Sequence, residues 1–153
     1  MRPPHPNSHR LRHGRASEQG RGYLVTTVVH QRNPLFRDWR LARLLIAELR
    51  LAHDLGHVNS LAWVVMPDHM HWLMQLEQAR LPHVMQAVKS RSTLAINRAM
   101  NRQGAFWQSG FHDRAIRDNE DLQAVAHYIV ANPLRAGLVD RIGDYPHWDA
   151  IWL

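Results

Sequence analysis

No cysteine occurs anywhere in the 153 residues. That excludes a disulfide, a thiolate nucleophile and a zinc ribbon, and it fits a reducing cytoplasm. Long apolar runs are missing too: none approaches the roughly 20 residues that carry a helix across a bilayer. The N-terminus is basic but lacks the apolar segment of a secretory signal, so the expected location is cytoplasmic with no membrane partner. Acidic residues are in short supply, 13 Asp and Glu against 19 Lys and Arg. The resulting formal charge of +6 and pI of about 10.9 suit a polyanionic partner. Nothing in the chain forms a basic amphipathic anchor for an anionic membrane surface, so nucleic acid is the better match.

What is present is enough for one domain. A chain of this length with 45% hydrophobic residues can bury a real core. Residues 1–20 form a basic lead rich in proline and histidine, with too few apolar residues to fold alone. Arg12 and Arg15 in this arm could neutralise phosphates without reading sequence. The remainder, 21–153, reads as a single domain with no internal repeat and no linker.

Coarse periodicity gives an element order. Tyr23 to His30 is β-branched and closes at Asn33-Pro34, a strand ending in a turn. Leu41, Leu44, Leu45, Leu49 and Ala52 recur at helical spacing over roughly Arg37 to Leu55, and Gly56 stops that helix. Leu61 to Met66 is a continuous apolar run, which Pro67-Asp68 turns into a second strand from His69. A helix follows from Leu81 to Arg102, with Leu81, Val84, Met85, Val88 and Ala95 inward. Phe111 to Arg117 reads as a fourth strand, and Asp118-Asn119-Glu120 would cap a last helix. The order βαββαβ proposes an α+β fold, a ferredoxin-like antiparallel sheet with an additional C-terminal helix that carries Tyr128.

Two segments carry the chemistry. In the strand that begins at His69, alternation puts His69, His71, Leu73 and Gln75 on one face and Met70, Trp72, Met74 and Leu76 on the other. The apolar set is a core face. Two imidazoles then stand side by side on the opposite face, able to share a divalent metal or simply to be ordinary surface histidines. About 60 residues on, Tyr128 and Asn132 are four apart and so share one helix face, with Pro133 limiting the helix just beyond. A tyrosine one turn from a carbonyl-bearing ligand is a workable nucleophile, since tyrosine forms covalent intermediates once activated. An ordinary half-buried helix tyrosine is the bland alternative.

His-hydrophobic-His on a strand, followed by a helix with one tyrosine, resembles the HUH single-tyrosine transposases. The closer similarity is to REP-associated tyrosine transposases, and it runs along nearly the whole chain. It includes Leu11-Arg12-His13-Gly14-Arg15, Tyr23-Leu24-Val25-Thr26-Thr27, Pro34-Leu35-Phe36 and Met66 through His71. It continues in Phe106-Trp107-Gln108, Gly110 through Arg117, and Tyr128 through Asn132-Pro133 to Val139. The resemblance implies an enzyme that nicks and rejoins single-stranded DNA at hairpins of short repeated palindromes. It implies Tyr128 as nucleophile, His69, His71 and Asn132 as ligands, and Mg²⁺ or Mn²⁺ as the ion. It implies a protein able to act as a monomer, whereas wider insertion-sequence relatives are homodimers. Asp68 stands where relatives commonly have asparagine, Asn132 where the wider relatives often have glutamine, and the chain after Asp144-Tyr145-Pro146 departs from the usual serine-containing ending.

Basic residues that could guide DNA are Lys89 and Arg91 on the second helix, Arg114 by the fourth strand, and Arg135 just after Asn132. Each could equally be a solvated charge. Trp107 could stack on a base or pack in the core. A nucleic-acid-binding regulator that keeps the fold with little or no cleavage is the competing reading. It would leave Tyr128 and the ligand trio without a use.

Overall fold

The computed structural model describes residues 20–117 and 120–152. Apart from Gly20, the basic arm, with Arg12 and Arg15, lies outside the described residues. The elements are β1 (Gly22–Val28), α1 (Trp39–Asp54), β2 (Val58–Met66), β3 (His69–Leu76), α2 (Leu81–Met100), β4 (His112–Ala115), α3 (Leu122–Val130), α4 (Asn132–Arg135) and β5 (Trp148–Ala150). The strands form one sheet in the order β4-β1-β3-β2-β5, antiparallel throughout. This is the expected βαββαβ arrangement, widened by an edge strand.

Each face of the sheet has its own core. On one, Met70, Trp72, Met74 and Leu76 of β3 are fully buried beneath α1 and α2. The helices meet them through Leu41, Leu45 and Leu49, and through Leu81, Val84, Met85, Val88 and Ile96. On the other face, Leu73 of β3 joins Leu61, Ala62, Val64 and Met66 of β2 against Ala126, Ile129 and Val130 of α3. Gly22 permits that second layer to come close: a Cβ there would lie 3.1 Å from a Leu122 methyl.

Four details differ from the sequence reading. β2 begins at Val58 rather than Leu61, and a register shift between Ser60 and Ala62 accommodates its polar start. β4 is shorter than Phe111 to Arg117 because it pairs β1 over only four residues. The cap of the tyrosine helix is Asp121, whose carboxylate accepts from the Gln123 N–H at 2.9 Å. Positions 118 and 119 lie outside the described residues, and the Glu120 carboxylate takes Arg114 and the Arg117 N–H instead. Finally, the last helix is split: α3 ends at Val130 and Asn132 opens α4, because Pro133 has no N–H to continue the ladder.

Candidate catalytic site

β3 starts directly after the Pro67-Asp68 turn, so its first inward-turning residue on the α3 face is His69, and alternation brings His71 beside it. The two rings lie 4.9 Å apart between centroids, edge to face. Each is held by an oxygen at its Nδ1. His69 Nδ1 is 2.7 Å from an Asp68 oxygen, and the other Asp68 oxygen accepts from Arg32 at 3.1 Å. His71 Nδ1 is 2.7 Å from the Thr26 hydroxyl, on the neighbouring strand at the paired position. With both Nδ1 atoms engaged, the Nε2 atoms are the ones left to face a metal. This is the usual way an outer oxygen orients a ligating imidazole.

Electrostatics keep the pair ready. Burial, then the charges of His69 and Arg135, push His71 down to about 4, so it is neutral and has a lone pair at physiological pH. Burial works against ionisation of Asp68, but the bonds from His69 and Arg32 outweigh it and hold the carboxyl below its ordinary range.

Tyr128 projects from α3 on the side away from the buried Ala126, Ile129 and Val130, and it is 64% exposed. The Arg135 guanidinium stacks on its ring, 3.9 Å from the centroid. The same guanidinium is near enough to His71 to depress it. Arg135, at the end of α4, therefore ties the tyrosine to the histidine pair. Asn132, half-buried at the start of α4, sits on the same short helix, which packs against β2.

The donor set fits a small divalent ion. Among the described residues no group of three or more His, Asp, Glu or Cys is placed to hold a metal. An amide oxygen such as that of Asn132 is a donor type that suits Mg²⁺ or Mn²⁺. Replacing Asp68 by alanine is expected to weaken Mn²⁺ binding by about ten-fold, while asparagine, which can still accept from Nδ1, keeps most of it. Calorimetric titration of the two variants with Mn²⁺ decides this.

Among the described residues, the expected DNA-contacting cations Lys89, Arg91 and Arg114 have hydrogen-bond partners within the chain, and Arg135 stacks on Tyr128. Lys89 donates to the Gln108 and Gly110 carbonyls, and burial pushes its ammonium down to about 8. Arg91 bonds Glu48 of α1 at 2.7 Å, and Arg114 grips both Glu120 oxygens at 2.9 Å. Trp107 resolves toward packing: it is buried, and its indole N–H donates to Ser92 at 3.0 Å. Thr26 and Arg32 were not singled out from the sequence; their partners are 45 and 36 residues away, and local spacing carries no signal of such pairings.

A sheet bearing two histidines on a central strand, with a tyrosine on the helix laid across it, places the molecule in a recognisable class. Residues 20–132 match the model of the family described as Transposase IS200 like, and the chain belongs to that family. Within it, the chain is similar to proteins named REP-associated tyrosine transposases. One, from Haemophilus influenzae, is 30% identical over 100 residues, 58% of this chain and 57% of that protein. Another, from Escherichia coli, is 31% identical over 87 residues, 56% of this chain and 50% of that protein. The chain thus aligns with about half the length of these relatives. Among solved structures, a REP-associated tyrosine transposase bound to a REP hairpin has the same fold, with a TM-score of 0.74 at 24% identity, covering 88% of this chain and 79% of that one.

Proposed function

We propose that this protein nicks and rejoins single-stranded DNA at hairpins formed by REP-like palindromes, through a covalent 5′-phosphotyrosine on Tyr128. The observation that carries the reading is Arg135, stacked on the Tyr128 ring while its charge is felt at His71. It supports treating the proposed nucleophile and the proposed ligand pair as parts of one site.

His69, His71 and Asn132 would hold a Mg²⁺ or Mn²⁺ ion, which when bound supplies Lewis-acid polarisation of the scissile phosphate. Asp68 and Thr26 are positioning residues that each hold one imidazole by its Nδ1, leaving its Nε2 free. The Tyr128 oxygen attacks phosphorus, a phosphorus–oxygen bond to the phenol forms, and the bond to the 3′ oxygen breaks. The phenolic proton goes to solvent and the leaving oxygen departs as a 3′ hydroxyl. Attack of a 3′ hydroxyl on the phosphotyrosine reverses the step, so no water is consumed and strands can be transferred. Arg135 offsets the phosphate charge beside the phenol, and Arg114 is proposed to contact the strand along β4. Lys89 and Arg91 lend positive potential while fixed to their carbonyl and carboxylate partners. The partner is single-stranded DNA with hairpins; Arg12 and Arg15 are proposed to add phosphate contacts from the arm.

The test is a denaturing gel of protein mixed with end-labelled, hairpin-bearing single-stranded DNA, with and without Mn²⁺. A slow, denaturant-resistant band that needs metal supports the reading. Binding of the same DNA without cleavage or adduct would favour a regulator on the same fold.

A further inference from the structure

Away from the histidine pair, an open groove of about 820 Å³ runs between α1 and the segment leading into β5. Its walls carry Trp39, Trp63 and Trp148 with Arg43, Arg50 and His147. Trp39, the first residue of α1, remains 56% exposed although the helix is anchored by Leu41, Leu45 and Leu49. An indole so exposed contributes little to the core. The Arg43 guanidinium lies 5.5 Å from the Trp39 ring centroid. Among the described residues neither Arg43 nor Arg50 forms an ion pair, and Asp54 is the one carboxylate lining the groove, so its net charge is positive.

Flat aromatic faces beside unpaired cations are what a single nucleic-acid strand needs, stacking for bases and charge for phosphates. The volume falls within the about 300–1,000 Å³ of sites that enclose small organic ligands, room for nucleotide-sized groups. Position matters as well. Val64 pairs His71 on one side and Trp148 on the other, so Trp148 stands on the same sheet face two strands from His71. At the usual strand spacing that is about 10 Å. Because α1 and Trp63 lie on the opposite face of the sheet, a strand held at the histidines reaches the groove by passing around the β5 edge at Trp148.

We infer that this groove binds the unpaired DNA flanking the cleaved segment, with bases on Trp39 and phosphates on Arg43 and Arg50. The inference rests on the nucleic-acid reading above, which it deepens by assigning a second subsite. Fluorescence anisotropy of a short labelled oligo(dT) tests it. Wild-type protein binds, and Trp39→Ala weakens binding by about 5- to 150-fold, the range for losing one base–aromatic stack. Trp39→Phe retains most of the affinity, and Arg43→Ala flattens its salt dependence. Cleavage of a hairpin without a long flank and the far-UV circular dichroism stay as in wild type. Unchanged oligo(dT) affinity in Trp39→Ala overturns the groove but leaves the proposed function intact. So does a wild-type protein that cleaves hairpin DNA yet ignores oligo(dT). Equal, Trp39-dependent binding of a blunt duplex overturns the single-strand assignment, and failure to bind any DNA sinks both readings.

Discussion

Tyr128→Phe protein is expected to bind hairpin DNA within about two-fold of wild type, as for an ordinary exposed substitution, and to form no covalent adduct. The substitution removes one oxygen from a side chain already 64% exposed, so neither the α3 core contacts nor the fold depends on it. The Arg135 stack on the ring survives, since phenylalanine presents the same π face. What disappears is the atom that would bond to phosphorus. Cleavage should fall by on the order of 10⁶-fold, the scale on which loss of an enzyme's nucleophile acts. The readout is the denaturant-resistant band on the gel, and an undiminished band in Tyr128→Phe would remove the tyrosine from the mechanism. Nicked product without an adduct in wild type would point to water as the nucleophile.

Loss of one imidazole should be nearly as severe and by a different route. His71→Ala removes a proposed ligand whose Nδ1 is fixed by Thr26 and whose ring is held neutral by its surroundings. Mn²⁺ affinity should drop by more than the about 10- to 100-fold typical when an outer partner of a ligand is lost. Cleavage should vanish with it, while DNA binding through the arginines persists. Manganese titration followed by electron paramagnetic resonance measures the first effect, and chelation by EDTA should reproduce the second in wild type. Cleavage that continues undiminished in EDTA would show that the histidines serve some other purpose.

The strongest signals in the chain were those with a fixed local period. Alternation along His69 to Leu76 located the histidine face and the buried face because a strand repeats every two residues. The four-residue step from Tyr128 to Asn132 placed both on one helix face, but Pro133 splits that helix, so Asn132 opens α4 instead of continuing α3. The α+β sheet followed from the order of such segments. Thr26 and Arg32 were not legible, since their partnerships depend on strand register and on a turn in which Gln31 and Arg32 both adopt positive φ. The edge strand β5 was equally invisible, because three residues are too few to show alternation. Charge alone was the poorest guide. Lys89, Arg91 and Arg114 look like free cations in the sequence, yet each faces an acceptor brought near by the fold.

The short outer strands bear on how copies of the protein can associate. The sheet ends in β4, four residues that include His112, Asp113 and Arg114, and in β5, three residues with Asp149 at the centre. Brief margins studded with charge are poor templates for another chain's backbone. Joining of two molecules into a continuous sheet is therefore disfavoured, as is fibrillar stacking through the margins. Self-association through helices or loops is the easier route, and it leaves the central strand that carries the histidines flanked by its own neighbours.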